Sequence, residues 1–257
     1  MMEWQVIDEK IKRWMFEARE MILASFDTKL DINTKSNRND LVTNMDKKIE
    51  KFYIDHIHES FPDAKIMGEE SEKDALQDAD GIFFVIDPID GTMNFVKQQD
   101  NFASMIAVYQ NHQPILGYIL DIRNNKLYWG GKSIGVYCNF KRLKAPQDLT
   151  LRDGLLGAGL PMILNDEYHF QEIAREASGV RMYGSAGIEF INVLTGKTLG
   201  YVSRLHAWDY AAGKILAEEL GLVVQAIDGT DIDVLSSKVV LVSTRSANEK
   251  INQIINA

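Results

Sequence analysis

The chain is organised around one segment, Ile82-Phe83-Phe84-Val85-Ile86-Asp87-Pro88-Ile89-Asp90-Gly91-Thr92-Met93-Asn94-Phe95. Its first five residues are β-branched or aromatic and follow a glycine, a pattern that predicts a buried strand. Pro88 stiffens the turn after that strand and biases Asp87 toward an extended backbone. Asp87 and Asp90 can therefore converge on one point, and converging carboxylate oxygens are the ligands that Mg²⁺ prefers.

The same segment continues into an element that could hold an anion. Thr92 is a predicted N-cap for a short helical turn through Asn94 and Phe95. Because a glycine precedes this helix N-terminus, the backbone can approach an anion closely. A cation site beside an anion site points to a phosphate ester. Taken alone, the segment also fits an ordinary strand-to-loop turn in which Asp87 caps and Asp90-Gly91 supplies the turn.

The composition limits the class of protein and its partners. The chain has 257 residues, of which 46% are hydrophobic and 25% are charged, as in soluble globular proteins. Its net charge of −9 argues against a nucleic acid or an anionic membrane as the main partner. Bound cations could still bring a phosphate to an acidic protein.

Cys138 is the single cysteine, so the chain cannot form an intrachain disulfide or a thiolate zinc cluster. A reducing, cytoplasmic setting is expected. The sequence has no apolar run of about eighteen residues and no signal-peptide pattern, so no membrane association is expected. Apolar residues recur instead at helical spacing near the N-terminus and predict an amphipathic helix packed on protein.

The remaining pattern predicts two halves. Residues 27–40 are polar and predict a loop or a weak hairpin, after which a helix begins near Asp46 and stops at Phe61-Pro62. Short strands with turn signals follow to about residue 138 and predict antiparallel neighbours. Beyond a polar stretch, strands alternate with helices, one of which is predicted over residues 166–177. We therefore predict an α+β half over residues 1–144 and an α/β half over residues 145–257.

Two further acidic motifs stand at the ends of predicted elements. Gly68-Glu69-Glu70-Ser71 follows a short strand, and Trp208-Asp209-Tyr210-Ala211-Ala212-Gly213 opens a helix. Each alone would fit surface acids or an N-cap aspartate. Together with Asp87 and Asp90 they place acids at separate strand ends and a helix start, where an α/β scaffold assembles a site.

In order and spacing, these motifs and Asp40-Leu41-Val42-Thr43-Asn44-Met45-Asp46 resemble the Mg²⁺-dependent, lithium-sensitive inositol monophosphatase family, which is related to fructose-1,6-bisphosphatase. The resemblance spans about Lys35 to Gly213. It implies a layered αβαβα fold, a homodimer, an active site between the two halves, and hydrolysis of a small-molecule phosphate monoester.

The resemblance also implies roles for individual residues. Glu69, Asp87 and the carbonyl of Ile89 would hold one Mg²⁺; Asp87, Asp90 and Asp209 a second; and Glu69 with waters a third. Thr92, paired with Asp46, would orient the attacking water, with Glu70 in support. The N–H groups of Gly91 and Thr92 would hold phosphate oxygens, and Lys35 would belong to a mobile lid.

Substrate contacts are expected from Asp90, Gly184, Ser185, Ala186 and Asp209. Inositol-specific members carry a glutamate seven residues before the motif aspartate, and this chain has Val202 there. Valine cannot accept hydrogen bonds from sugar hydroxyls, so we expect a larger loss in selectivity among substrates than in the rate of phosphate hydrolysis. Arg204 could meet a second phosphate or be an ordinary surface residue. The 2′-phosphate of NADP, fructose 1,6-bisphosphate and 3′-phosphoadenosine nucleotides stay open as substrates, and a protein-binding regulator stays open as another class.

Overall fold

The structure is a computed structural model that describes residues 4–27, 30–34, 41–70, 80–232 and 237–257. The chain begins with helix α1 (Trp4–Ala24), followed by the short strands β1 (Ile32–Thr34) and β2 (Leu41–Thr43) and helix α2 (Asn44–Ser60). Strands β1 and β2 pair antiparallel. Most of the segment predicted as a loop or a weak hairpin, residues 28, 29 and 35–40, lies outside the described residues.

A seven-stranded sheet follows, in the order β3-β4-β5-β6-β7-β8-β9. Strand β3 is parallel to β4, and the other neighbours are antiparallel, as the short connections predicted. Helix α3 (Thr92–Lys97) follows β4 directly. The strands are β3 (Lys65–Gly68), β4 (Ile82–Asp90), β5 (Ala103–Gln110), β6 (Gln113–Asp121), β7 (Lys126–Gly131), β8 (Gly135–Cys138) and β9 (Lys141–Arg142).

The second half contains a five-stranded mixed sheet in the order β11-β10-β12-β14-β13. Its strands are β10 (Leu155–Ala158), β11 (Gly179–Arg181), β12 (Gly200–Leu205), β13 (Val223–Ala226) and β14 (Lys238–Ser243). Its helices are α4 (Leu160–Leu164), α5 (Phe170–Glu176), α6 (Ala186–Leu194), α7 (Ala207–Glu219) and α8 (Arg245–Ile255). One sheet thus ends at Arg142 and the next begins at Leu155, while the division at residue 144 into two units stays a prediction.

Three buried clusters define the layers. The first lies between helices α1 and α2 and one face of the seven-stranded sheet, and includes Trp14, Tyr53 and Phe84. The second joins the other face of that sheet to α6, α7 and the five-stranded sheet. The third lies between the five-stranded sheet and α5 and α8. The order is therefore helix, sheet, helix, sheet, helix, which confirms the predicted αβαβα fold.

Two local predictions were wrong. The helix predicted over residues 166–177 is divided into the 3₁₀ turn Glu167–His169 and α5, because Tyr168 and His169, at the end of that turn, have positive φ angles of 57° and 58°. Helix α4 was not predicted, because proline usually ends a helix. Here Pro161 falls at the start of α4, where proline is tolerated. Among the described residues, no helix is both long and apolar enough to cross a membrane.

Candidate active site

Strand β4 carries Asp87 and Asp90 at its carboxyl end. Residues three apart on a regular strand point to opposite faces of the sheet. Here the pairing of β4 with β5 shifts register between Asp87 and Asp90, at Pro88 and Ile89. The irregularity allows both carboxylates to face the same region, and carboxylate oxygens of Asp87, Asp90 and Asp209 lie within 4.8 Å of one another.

Asp209 reaches this cluster from the second half of the chain. It is in the first turn of α7, where its Oδ2 accepts a hydrogen bond from the backbone N–H of His206 at 2.7 Å. The helix therefore fixes one oxygen of Asp209 by capping. The cluster joins strand β4 of the first sheet to a helix that packs between the two sheets.

The environment of Asp87 is unfavourable for an isolated negative charge. The side chain is 1% exposed, and its Oδ1 has no hydrogen-bond partner among the described residues. Burial raises the pKa of Asp87 well above its usual range, and the charges of Glu69, Asp90 and Asp209 raise it further. A divalent cation between these carboxylates would remove both costs, so the donor set fits a hard metal ion.

Glu69 and Glu70 follow strand β3, which runs beside β4. Glu69 is within hydrogen-bonding reach of Asp87 and contributes to its raised pKa. The backbone N–H of Glu70 donates to Oε2 of Glu50 at 2.8 Å. Glu50 is a buried residue of α2, and a Cβ on Gly68 would lie only 2.4 Å from its Oε2. The glycine thus allows the Glu50 carboxylate to hold the turn that presents Glu69.

Asp90 is held by the N-terminus of α6. The backbone N–H groups of Ala186 and Gly187 donate to its carboxylate at 2.9 and 2.7 Å, and the Ser185 hydroxyl donates to the same group. Burial raises the pKa of Asp90, whereas these hydrogen bonds lower it. Helix N-termini favour anions, so α6 orients Asp90 and stabilises its ionised form.

Thr92 and Asp46 are paired directly. The Thr92 hydroxyl lies 2.9 Å from Oδ1 of Asp46 and 3.1 Å from the carbonyl oxygen of Ile89. Asp46 is fully buried at the start of α2, and its Oδ2 accepts hydrogen bonds from the N–H and hydroxyl of Thr43. Burial raises the pKa of Asp46. This capping box leaves Oδ1 to receive the Thr92 hydroxyl.

The N-cap of α3 was predicted wrongly. Gly91, with a φ of 88°, is the N-cap, and Thr92 is the first helical residue. A left-handed backbone at this position favours glycine. Because the first N–H groups of a helix have no intrahelical acceptor, those at the start of α3 point out of the helix beside the acidic cluster.

Other predicted residues lie at different distances from the cluster. Gly184 packs against the start of α3, where a Cβ on Gly91 would lie 3.4 Å from the Gly184 carbonyl oxygen. Val202 is fully buried in the third core cluster. Arg204 pairs with Glu167 at 3.3 Å on the surface. Lys35 lies outside the described residues.

Sequence reasoning missed three polar residues that support the site. Glu50 is one helical turn beyond Asp46, a spacing that places both on one face of α2 and could have indicated it. Asn94 donates from Nδ2 to the carbonyl oxygens of Asn101 and Tyr183, at 2.8 and 2.6 Å. Glu189, which is 1% exposed, accepts the N–H of Tyr183 at 2.9 Å. Together Asn94 and Glu189 fix the segment before Ser185.

Comparison with known proteins shows the family to which the chain belongs. The inositol monophosphatase family model matches residues 3–257. Inositol-1-monophosphatase of Bacillus subtilis is 38% identical over 256 residues, which cover 98% of this chain and 97% of that protein. A crystal structure of an IMPase/NADP phosphatase complexed with Mg²⁺ and phosphate has a TM-score of 0.92 at 29% identity, covering 98% of this chain and 96% of that chain.

A second solved structure, a dual specific IMPase/NADP phosphatase bound with D-inositol-1-phosphate, has a TM-score of 0.88 at 26% identity. The alignment covers 98% of this chain and 96% of that one. The chain therefore belongs to the inositol monophosphatase family. This membership confirms the family, the fold and the enzyme class, a phosphoric monoester hydrolase, that the motifs predicted.

Proposed function

We propose that the protein is a Mg²⁺-dependent phosphomonoesterase that hydrolyses inositol monophosphate and other small phosphate monoesters by direct attack of water. One observation carries the proposal. Asp87, Asp90 and Asp209 come from two parts of the chain and bring carboxylate oxygens within 4.8 Å of one another, with Oδ1 of Asp87 buried and unpartnered among the described residues. Such a cluster is costly without a cation.

We assign the metal ligands by side-chain chemistry and the family motifs. Glu69, Asp87, Asp90, Asp209 and the carbonyl oxygen of Ile89 are proposed to hold two or three Mg²⁺ ions. Bound there, Mg²⁺ would supply positive charge to the phosphate oxygens and lower the pKa of a coordinated water. The hydrogen bonds that Asp90 receives from α6, and that Asp209 receives from His206, keep each carboxylate oriented for this role.

Proton transfer is assigned to the first half of the chain. Thr92 orients the attacking water. Asp46, whose pKa is raised by burial, helps to take the proton of that water through the Thr92 hydroxyl. Glu70 supports the same water from the turn that Glu50 holds. The N–H groups of Gly91 and Thr92 bind phosphate oxygens at the start of α3.

Substrate contacts are assigned to the segment Gly184 to Ala186, with Asp90 and Asp209 beside it. Val202 packs in an apolar core, so this position offers a sugar ring no hydrogen-bond acceptor. We therefore expect a broad range of phosphate monoesters. The 2′-phosphate of NADP is the second candidate substrate, since a similar solved structure is described as an IMPase/NADP phosphatase.

We further propose a cytoplasmic homodimer with no nucleic-acid or membrane partner. Several large apolar side chains of the second half are exposed and could be covered by another copy: Leu160, Leu164, Tyr168 and Met182. The single cysteine fits a reducing compartment. The assignment of Lys35 to a lid rests on the family pattern alone.

The test is phosphate release across a substrate panel with and without Mg²⁺. The panel holds inositol 1-phosphate, NADP, fructose 1,6-bisphosphate and 3′-phosphoadenosine 5′-phosphate. We expect Mg²⁺-dependent release from inositol 1-phosphate and from at least one other compound. If none of the four is hydrolysed at any Mg²⁺ concentration, the proposed activity is wrong. If inositol 1-phosphate alone is hydrolysed, the broad substrate range is wrong and the chemistry stands.

A further inference from the structure

A cationic segment runs from the end of β6 to the edge of the seven-stranded sheet formed by β7, β8 and β9. Residues 122–147 contain six basic residues and no aspartate or glutamate, in a chain whose net charge is −9. All six are exposed, and none forms an ion pair with a described residue: Arg123, Lys126, Lys132, Lys141, Arg142 and Lys144. Arg123 packs over the Phe26 ring, 5.5 Å from its centroid. The other five side chains are available to an anionic partner.

An aromatic depression lies within this cationic segment. A cavity of about 520 Å³ opens between α1 and the strands β7 and β8, with Lys12 and Phe16 on the helix side and Trp129, Tyr137 and Phe140 on the sheet side. The Lys12 ammonium lies over the Trp129 ring, 2.9 Å from its centroid. The rings of Trp129 and Tyr137 stack with centroids 4.8 Å apart and planes 18° apart. The cavity is large enough for one aromatic or long aliphatic side chain.

Phe140 forms the lip of the cavity and is fully exposed to solvent. Its position is nevertheless fixed by the residue before it. Asn139 accepts a hydrogen bond from the N–H of Leu127 through its side chain, and one from the indole N–H of Trp129 through its carbonyl, both at 2.9 Å. Because the backbone of this turn is already held, a partner that covers Phe140 has to order only its side chain.

The sheet ends beside this cavity. Strand β9 is the last strand of the seven-stranded sheet, and both of its residues, Lys141 and Arg142, are exposed. An edge strand can pair with an extended peptide through backbone hydrogen bonds, while neighbouring pockets take its side chains. Lys12 lines the cavity from α1, where it pairs with Asp8 at 2.7 Å. Lys126 and Lys141 directly follow Asn125 and Phe140 of the same lining.

We propose that this basic aromatic groove, formed by Phe16, Trp129, Tyr137 and Phe140 with Lys126 and Lys141 beside it, binds an acidic peptide segment of a partner protein. The segment places one aromatic or large aliphatic side chain in the cavity, and its carboxylates face the unpaired lysines and arginines. Aromatic anchors in pockets dominate binding energy in such interfaces, and complementary charge adds association rate and specificity.

The charges around the groove favour a peptide over a nucleic acid. Helix α1, which forms one wall, carries the exposed acids Glu9, Glu17 and Glu20. These acids and the net charge of −9 repel a polyphosphate backbone, which needs a continuous basic track. In this proposal the short peptide lies along the sheet side of the groove, where Lys126 and Lys141 are exposed, and only its anchor side chain reaches α1.

The test begins with a selection of random peptides, each about 12 residues long and able to extend over about 40 Å, on the immobilised full-length protein. The same library is selected in parallel on the Phe140→Ser variant. We expect enrichment, on the wild type only, of peptides with net negative charge and an aromatic or large aliphatic residue. The consensus peptide is then labelled and its affinity measured by fluorescence anisotropy.

Phe140→Ser and Lys141→Glu should each weaken binding by about tenfold or more, and added salt should weaken it further. The matched charge reversal Lys250→Glu, on the exposed face of α8, should leave binding unchanged. All three variants should keep wild-type phosphate release and melting temperature, since Phe140, Lys141 and Lys250 are exposed and remote from the acidic cluster.

Three results would overturn the proposal. One is a selection that enriches no acidic peptides, or enriches them equally on Phe140→Ser. Another is tighter binding of labelled oligothymidylate than of the selected peptide. The third is conversion of a dimer to a monomer by Phe140→Ser, which would make the groove an interface between two copies of this chain.

Discussion

Asp87 is held where an ionised carboxylate is costly. Its side chain is buried, one oxygen has no hydrogen-bond partner among the described residues, and three other acids raise its pKa. An arrangement of this kind destabilises the folded chain unless a cation compensates it. The carboxylates of Asp90 and Asp209, in contrast, each accept hydrogen bonds from backbone N–H groups. The unequal satisfaction of the three aspartates supports the proposal that Asp87 lies at the centre of a metal site.

The Thr92 hydroxyl provides the first prediction at this scale. Thr92→Val keeps the shape of the side chain and removes the group that bonds Asp46, so kcat should fall by about 10²–10⁴-fold with little change in KM. Thr92→Ser keeps the hydroxyl and should retain most of the activity. Steady-state kinetics on inositol 1-phosphate checks both variants. A Thr92→Val enzyme with more than half of the wild-type kcat would remove Thr92 from the mechanism.

Single residues differed in how well the sequence predicted them. Asp87, Asp90 and Asp209 could be predicted because they stand in contiguous motifs at the ends of predicted elements. Glu50 and Glu189 could not be predicted from motifs. Glu50 accepts the N–H of Glu70, twenty residues away, and Glu189 accepts the N–H of Tyr183 in the loop before α6. Gly91 was misjudged because a positive φ is a property of the folded turn.

Among the elements, helix α6 has the most consequences for the site. Its N-terminus holds Asp90, and its first turn contains Glu189, whose Oε1 fixes the Tyr183 N–H while its buried Oε2 has no partner among the described residues. Burial, with a contribution from Asp90, raises the pKa of Glu189 to about 7. The helix therefore carries a carboxyl group that is protonated more readily in the folded chain than in the unfolded chain.

Glu189 yields a prediction about pH. Because the pKa of Glu189 is higher in the folded chain than in the unfolded chain, its protonation stabilises the fold. This stabilisation is complete below the pKa of the unfolded chain, and it is lost as the pH rises through about 7, the pKa in the folded chain. In EDTA, the wild type should lose free energy of unfolding relative to Glu189→Gln between pH 5 and pH 8.5, by up to about 3 kcal/mol. Urea unfolding across this range measures the difference. Parallel curves for the two proteins would contradict the assignment.

The contact between α6 and α7 yields a second prediction for the elements. A Cβ on Gly213 would lie 2.4 Å from the ring of Phe190. Gly213→Ala should therefore cost about 1–3 kcal/mol by overpacking, more than the gain of about 1 kcal/mol in helix propensity. Gly179→Ala is the matched control, because its Cβ would meet only the Leu155 side chain at 3.3 Å and the end of Arg181. Equal urea midpoints for the two variants would show that α6 and α7 can move apart to accept the extra methyl group, which would contradict the prediction.

Element prediction succeeded where periodicity was strong. The apolar stripe of α1 and the strands with short turns agree with the structure, because buried faces impose those periods. It failed between residues 160 and 170, where five-residue α4 and a kinked turn have too few residues for a periodic signal. The pairing of β11 beside β10, which are separated by two helices, also has no local signature.

At the scale of the whole molecule, the two sheets and the helices between them bring distant ends of elements together. Strand β3 and strand β4 deliver Glu69, Asp87 and Asp90, while the central helical layer delivers Asp209 and the N–H groups that hold Asp90. The layered fold could be predicted because the motifs resemble a known family. The basic aromatic groove could not, because it forms from α1 and a hairpin more than a hundred residues later.

The most direct test of the account is Mg²⁺ titration by calorimetry, paired with phosphate release, for the wild type and Asp87→Asn. We predict that the wild type binds Mg²⁺, that EDTA abolishes release, and that added Mg²⁺ restores it. Asp87→Asn should stay folded by circular dichroism, bind Mg²⁺ far more weakly and release no phosphate. Turnover that survives EDTA, or an Asp87→Asn protein with wild-type Mg²⁺ binding and activity, would contradict the assignment of this cluster as the catalytic metal site.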